Sequence, residues 1–255
     1  MSLWKMLDDE VAQWRSLGRV AELWWRDDDA VDVTPALERL LALRRAVDVP
    51  LALAVVPANA TTALAARLAG ETATDVLQHG YAHVNHAPPD EKKMELGLHR
   101  PAMHVLGDLG TGWLAMERLF QGRALPVLVP PWNRLATPLV PALPEIGFSG
   151  LSAFGARPRA APVRGLRQIN AHLDLVDWRG GQKFVGRRQA VHGLTAALAG
   201  ARSRGGEPIG VLSHHLAMDD ETWDFLVSLW EKLKAMPGVT LPTVRELFGP
   251  GEARR

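Results

Sequence analysis

The feature that most constrains the fold is an alternation along the chain of short apolar runs with helical patterns. Continuous apolar runs of strand length are typical of parallel strands that are buried on both faces of a sheet. The candidate strands are 21–26, 51–56, 75–78, 126–129, 148–152, 163–169, 173–178 and 209–213. The helical patterns between them lie near 35–47, 60–69, 107–121, 187–203 and 219–236. This alternation predicts an α/β fold, and seven or eight units favour a distorted (β/α) barrel over an open sheet.

The chain length and the two ends bear on domain organisation. The 255 residues are 47% hydrophobic, which predicts a single domain over 1–255 with one sizeable core. Leu7, Val11 and Trp14 recur at helical spacing, so we expect an amphipathic helix over about 3–18 that packs on the domain. Acidic residues stand where a secretory signal would be apolar, and no run approaches a membrane span. We therefore expect a cytoplasmic protein with no membrane partner.

Charge and cysteine content narrow the function classes. Lys and Arg number 29 against 28 Asp and Glu, a balance that argues against a nucleic-acid partner. The absence of cysteine excludes disulfide scaffolds, thiolate metal sites and thiol catalysis. Any metal ligands must therefore be His, Asp or Glu. The alanine-rich helices would serve a homodimer or an intramolecular core equally well.

Polar clusters follow four of the candidate strands. They are Asp27–Asp29, the histidines His79, His83 and His86, the segment 130–134, and the pair His214 and His215. Because the carboxyl ends of parallel strands form the ligand-binding edge of α/β folds, the four clusters are expected to meet there. Each cluster alone has an ordinary structural explanation, and their joint occurrence indicates an active site.

The residue types in these clusters suit hydrolysis of an amide. Two imidazoles and one carboxylate form a three-ligand site with an open position, for which zinc is the first choice of divalent metal. Cobalt, nickel, iron and manganese also accept such ligands. A divalent metal lowers the pKa of bound water and polarises a carbonyl group. A second aspartate can then act as a base, and a histidine can protonate the leaving amine.

The order of the clusters resembles that of the polysaccharide deacetylase superfamily (NodB homology, carbohydrate esterase family 4), and within it a divergent group of short bacterial members. Asp28 and Asp29 resemble its first motif, and HGYAH at 79–83 its second, with Gly80 where the family usually has serine or threonine. The resemblance implies that Asp28 is the catalytic base. It also implies that Asp29, His79 and His83 bind one divalent metal ion.

Three later segments complete the resemblance. VPPWN at 129–133 is similar to the third motif, which implies that the backbone N–H of Trp132 stabilises an oxyanion. DLVDW at 174–178 is similar to the fourth, which pairs Asp174 with Trp178. LSH at 212–214 is similar to the fifth and implies that His214 is the catalytic acid.

The third motif also contains the main departure. The family's arginine, which orients the base through a charge-assisted contact, is replaced here by Val129. Arg26, Arg100 or Arg134 could supply the guanidinium instead.

Two further assignments stay open in the sequence. Three aspartates run together, so Asp27 could replace Asp28 as the base. His86 and His172 are spare candidate metal ligands that rank below His83.

The predicted function is that of a metal-dependent amide hydrolase that deacetylates an N-acetylated sugar or a related small N-acyl compound. The candidate substrate-binding residues are Trp25, Tyr81, Trp178 and Arg134. Tryptophan faces can stack on sugar rings, although tryptophans are also commonly part of a core. The alternatives are another carbon–nitrogen hydrolase on the same scaffold, acting on cyclic amides or N-acyl compounds, and an inert sugar-binding protein, which the valine at 129 would explain.

Overall fold

The computed structural model describes residues 3–249, so residues 1–2 and 250–255 of the predicted domain lie outside the described part. The strands are β1 (Ala21–Ala30), β2 (Leu51–Val55), β3 (Thr74–His79), β4 (Ala124–Val129), β5 (Gly150–Leu151), β6 (Arg167–Gln168), β7 (Ala171–Asp174), β8 (Val176–Asp177), β9 (Lys183–Phe184), β10 (Ile209–Ser213) and β11 (Val239–Thr240). A parallel sheet runs in the order β6-β5-β4-β3-β2-β1-β10-β7, and β11 pairs with the start of β1. β8 and β9 form a separate antiparallel pair.

The two ends of this sheet meet. The chain just after β5 pairs with the start of β7 through a parallel bridge between Phe154 and Ala171. Gly155 N–H donates to the Ala171 carbonyl at 2.7 Å, and Ala171 N–H donates to the Ala153 carbonyl at 3.0 Å. The sheet therefore curls into a barrel, and the predicted distorted (β/α) barrel is confirmed.

Helices cover the outside of the barrel. They are α1 (Lys5–Ser16), α2 (Pro35–Val47), α3 (Thr62–Leu68), α4 (Ala102–Phe120), α5 (Arg187–Ser203), α6 (Asp220–Lys234) and α7 (Val244–Phe248). Thr34 caps α2 by accepting from Leu37 N–H, and Asp219 caps α6 by accepting from Thr222 N–H, since both donors lack a partner within the first turn. The N-terminal helix expected over about 3–18 is α1, which packs against α5.

The strands bury apolar side chains on both faces. The larger core fills the space between the sheet and the outer helices, where Trp25 of β1 meets Trp230 of α6 at a ring separation of 5.5 Å. A second cluster of buried apolar residues contains alternate strand residues such as Trp24 and Leu77, together with Phe248 of α7. Burial on both faces explains the continuous apolar runs, since neither face of a strand meets water.

The main departure from the predicted elements is at β1. The strand was expected to end at residue 26, and it continues through the three aspartates to Ala30 with a register shift between Asp27 and Ala30. Charged residues persist in a buried strand because partners neutralise them, as described below. The strand predicted over 163–169 is reduced to β6, and α4 begins at Ala102 rather than near 107.

No helix within residues 3–249 is both long enough and apolar enough to span a bilayer.

Candidate active site

The end of β1 separates two neighbouring aspartates. Because side chains alternate along a strand, Arg26 and Asp28 lie on one face and Asp27 on the other. Arg26 Nε lies 2.9 Å from Asp28 Oδ1, and Arg26 Nη2 donates to Asp28 Oδ2 at 3.0 Å. Arg26 is fully buried, and its remaining donors meet Ser152 Oγ at 2.8 Å and Asn133 Oδ1 at 2.6 Å. The guanidinium therefore holds the Asp28 carboxylate in one orientation.

Of the three arginines that could compensate for Val129, Arg26 is the one in contact with Asp28. Arg100 pairs with Asp108 at 2.8 Å, and Arg134 donates to the carbonyl of Lys93 at 2.7 Å. The charge-assisted contact is thus supplied from the same strand as Asp28, two residues upstream.

Asp27 belongs to a closed network behind the site. Ser213 Oγ donates to Asp27 Oδ2 at 2.5 Å, and His215 Nδ1 lies 2.5 Å from Asp27 Oδ1. The His215 backbone N–H donates to the same carboxylate at 3.1 Å, and Trp25 Nε1 donates to Ser213 Oγ at 2.8 Å. Asp27 is fully buried with its oxygens engaged, which leaves Asp28 as the aspartate available on the site's face.

The three predicted metal ligands converge. Asp29, His79 and His83 each present a ligand atom, and these atoms all lie within 4.8 Å of one another. His79 Nε2 lies 3.1 Å and His83 Nε2 3.3 Å from Asp29 Oδ1. His79 Nδ1 lies 3.0 Å from the Val129 carbonyl, which fixes the ring so that Nε2 faces Asp29. This nitrogen and oxygen donor set fits a divalent metal ion.

The electrostatic surroundings of Asp29 and His83 suit a cation, whereas His79 would release a proton on binding one. Burial acts to raise the pKa of Asp29, but the hydrogen bond from His79 and the surrounding imidazole charges lower it well below its usual range. The pKa of His83 is lowered, first by burial and then by the charge of His79. Burial also opposes charge on His79, yet the charges of Asp28 and Asp29 raise its pKa. An ionised carboxylate and a neutral imidazole at His83 are therefore ready as ligands.

Backbone strain is concentrated here. Seven non-glycine residues of the described part have positive φ, and four of them are Asp29 (73°), His83 (57°), Trp132 (54°) and Asn133 (56°). Such conformations cost free energy for residues with a side chain, and they persist where surrounding contacts enforce them. The Trp132 ring lies 4.4 Å from the His83 ring, so the strained segments of the β3 and β4 loops meet.

His214 lies on the β10 side of the site. Its Nδ1 is 3.6 Å from Asp174 Oδ1, and Trp178 Nε1 donates to Asp174 Oδ2 at 2.8 Å. Burial acts to lower the pKa of His214, but the contact with Asp174 and the charges of Asp28, Asp174 and Asp29 raise it to about 9. The imidazole is therefore protonated at neutral pH and can donate a proton.

The predicted substrate-binding residues divide into two groups. Trp178 is 48% exposed and packs edge-on to the His214 ring at 4.7 Å, and Tyr81 and Arg134 are partly exposed in the site loops. Trp25 is 1% exposed and lies in the outer core, which corrects its assignment to substrate binding. Its ring is used for packing because it faces the helices.

The two spare histidines lie outside the metal-ligand group. His172 Nδ1 accepts from Gly210 N–H at 3.3 Å, and its Nε2 is 3.7 Å from Glu207. The backbone N–H of His86 donates to the Met94 carbonyl at 3.0 Å, and its ring is not among the three groups that converge.

A cavity of about 440 Å³ lies beside the site. Its wall includes Asn133 and Ala153, both of which accept hydrogen bonds from Arg26. Leu135, Val140 and other apolar side chains form most of the lining, so the cavity suits a small ligand with an apolar part.

The sequence does not single out two important residues. Arg26 is one of three arginines among which the sequence does not choose, and Glu95 belongs to none of the predicted clusters. Glu95 is buried, and its carboxylate accepts from the backbone N–H groups of the loop that carries His83. Its position 12 residues beyond His83, outside any motif, gave no indication of this contact.

Comparisons with known proteins bear on the fold. No protein-family profile matches the chain, and no curated protein matches it. Solved structures do match it, and three of these share 14–16% sequence identity with the chain. The Bc1960 peptidoglycan N-acetylglucosamine deacetylase shares 16% identity at a TM-score of 0.57, with 92% of this chain and 91% of that chain covered. A family 4 carbohydrate esterase from Streptomyces lividans shares 14% identity at a TM-score of 0.52, with 88% and 93% covered.

A third match is a mutant of BA3943, described as a CE4 family pseudoenzyme with restored enzymatic activity. It shares 16% identity at a TM-score of 0.56, with 90% of this chain and 68% of that chain covered. The chain thus has the fold of the family 4 polysaccharide and peptidoglycan deacetylases.

Proposed function

We propose that the chain is a metal-dependent amide hydrolase that deacetylates an N-acetylated sugar or a related small N-acyl compound. The observation that carries the proposal is the convergence of Asp29, His79 and His83 beside an arginine-paired Asp28. The resemblance to deacetylase structures supports the same reaction class.

The ligand set defines where a divalent ion would be held. Asp29 Oδ1, His79 Nε2 and His83 Nε2 are the atoms that face one another. A bound divalent metal would supply Lewis acidity toward an acyl oxygen and would make water a stronger nucleophile. Zinc is the first candidate, and cobalt, nickel, iron and manganese suit the same ligands.

The remaining site residues transfer protons or position groups for the reaction. Asp28, oriented by Arg26, takes a proton from the attacking water. His214, held protonated beside Asp174, gives a proton to the departing amine. The Trp132 backbone N–H donates to the oxyanion that develops at the acyl carbon. Trp178 fixes Asp174 through its indole N–H and presents a half-exposed ring to the substrate.

Metal content and turnover test this proposal. We expect about one divalent ion per chain in the wild-type protein by plasma mass spectrometry, and its loss in Asp29→Asn and His83→Ala. His192→Ala is the matched control, because His192 is exposed on α5 and is not part of the group formed by Asp29, His79 and His83. Wild-type protein that takes up no zinc, cobalt or manganese, or that hydrolyses no amide when loaded, would overturn the proposal.

The apolar cavity beside Asn133 favours one second candidate, a hydrolase of N-acyl compounds that are not sugars. Turnover of N-acetylglucosamine oligomers compared with N-acyl amino acids and cyclic amides separates the two. The alternative of an inert sugar-binding protein was based on the valine at position 129. Arg26 makes the contact with Asp28 that Val129 cannot make, so this alternative is less favoured.

A further inference from the structure

A buried carboxylate lies beneath the loop that carries His83. Glu95 is 2% exposed, and its Oε1 accepts from Ala82 N–H at 2.7 Å and from Val84 N–H at 3.4 Å. Its Oε2 accepts from Tyr81 N–H at 3.1 Å. Three backbone donors on both sides of His83 therefore converge on one side chain. Charge-assisted hydrogen bonds of this kind are stronger than neutral ones.

The start of the same loop is shaped to admit this carboxylate. Gly80 has a φ of 58°, and a Cβ there would lie 2.0 Å from Glu95 Oε2 and 2.5 Å from Pro131 Cγ. A side chain at position 80 would thus occupy the space that Glu95 uses. The position of the Glu95 carboxylate therefore depends on glycine at position 80.

The segment around Glu95 is also tied to the second site loop. The Leu96 carbonyl accepts from Ala136 N–H at 2.9 Å, and the Lys93 carbonyl accepts from Arg134 at 2.7 Å. The residues 93–96 therefore lie between the loop after β3 and the loop after β4. Glu95 is fixed from both sides and can act as a rigid anchor.

The loop needs an anchor because of its backbone conformation. His83 has a φ of 57°, a left-handed conformation that is unfavourable for a residue with a side chain. This conformation accompanies the placement of His83 Nε2 at 3.3 Å from Asp29 Oδ1. The three hydrogen bonds to Glu95 are the contacts that offset this cost on either side of His83.

We propose that Glu95 is a positioning residue that holds the 80–84 loop so that His83 can complete the metal site. The proposal deepens the proposed function, since it rests on metal binding by Asp29, His79 and His83. The hydrogen bonds of Glu95 go to the backbone of the loop and not to the three ligand atoms, so its effect on the geometry of the site passes through that backbone. Its negative charge also acts on His83 directly, in the direction that raises the pKa of that imidazole.

The test compares Glu95→Gln and Glu95→Ala with Glu91→Gln. Glu91 is an exposed glutamate in the same connection and pairs with His99, so it is a matched control. We expect zinc affinity, measured by calorimetric titration, to fall about 10–100-fold in the Glu95 variants and to stay at the wild-type value in the control. Glu95→Gln should lose less zinc affinity than Glu95→Ala, because the amide oxygen of glutamine can still accept hydrogen bonds from the loop.

A spectroscopic measurement distinguishes positioning from general loss of structure. In cobalt-loaded protein the visible bands report ligand geometry, and we expect them to change in Glu95→Ala while the far-ultraviolet circular dichroism stays at wild type. Folded Glu95 variants with wild-type zinc affinity and wild-type cobalt bands would overturn the proposal.

Amide hydrogen exchange separates this proposal from the proposed function. In metal-free wild-type protein the Tyr81 and Ala82 amides should be protected, and Glu95→Ala should lose that protection. If the wild-type protein binds no metal and Glu95→Ala still loses this protection, the metal site is refuted and Glu95 is retained as the loop anchor. Equal exchange in both proteins would refute the anchor itself.

Discussion

His214 and His215 are neighbours at the end of β10, and each faces an aspartate, yet their surroundings differ. His215 lies in a closed network in which Asp27 accepts from Ser213 Oγ and from the His215 backbone N–H, with the ring 2.5 Å away. His214 lies 3.6 Å from Asp174, beside the half-exposed ring of Trp178. Both oxygens of Asp27 are engaged in hydrogen bonds, whereas the pair of His214 and Asp174 lies beside a half-exposed ring and keeps capacity for a ligand.

The difference indicates how one strand end can supply both stability and chemistry. A buried charge that is fully hydrogen-bonded stabilises one arrangement, and removal of one partner leaves an uncompensated charge. A histidine whose pKa is raised beside an accessible surface is available for proton transfer. We therefore assign Asp27 and His215 to structure, and Asp174 and His214 to the proposed reaction.

The largest expected effect is on turnover. Replacement of His214 by alanine should lower the rate by about 10²–10⁴-fold, because the leaving amine loses its proton donor. Metal content and melting temperature should stay near wild type. His215→Ala should show the reverse pattern, with a lower melting temperature and a smaller loss of rate per folded molecule. Equal rate losses in His214→Ala and His215→Ala would contradict the assignment of different roles to the two histidines.

The next effect is on stability. Asp27→Ala removes the partner of a buried imidazole and two further donors, so the free energy of unfolding should fall by about 3–5 kcal/mol in urea titrations. Asp174→Ala is the comparison variant. Its free energy of unfolding should fall by less, because the Asp174 side chain is partly exposed. A larger loss in Asp174→Ala than in Asp27→Ala would contradict the assignment.

The smallest expected effect is a shift of the pH at which activity is lost on the alkaline side. The pKa of His214 is raised to about 9, so the acid is present at neutral pH and is lost as pH rises through that value. Asp174→Asn removes one cause of the increase, so the pKa should fall and the alkaline loss of activity should begin at lower pH. Nuclear magnetic resonance titration of metal-free protein reports the same pKa directly. An unchanged titration in Asp174→Asn would show that Asp174 does not set it.

The barrel could be predicted because its signals are local. Apolar runs and helical periodicity depend on neighbouring residues, and they located most strands and helices to within a few positions. The polar clusters were predicted to meet because strand ends share one edge of a parallel sheet. β1 was the main exception, since its extension through Asp27, Asp28 and Asp29 depends on partners that are distant in sequence.

The sequence by itself determined the α/β barrel, because apolar runs and helical periodicity carry that information, and its resemblance to a known family pointed to Asp29, His79 and His83. The tertiary structure decided which aspartate faces the site, which arginine holds it, and that Glu95 lies under the His83 loop. Arg26 meets Ser152 across 126 positions, and Asp27 meets His215 across 188. Contacts of such separation follow from how the closed barrel aligns its strands, which no local pattern of residues encodes.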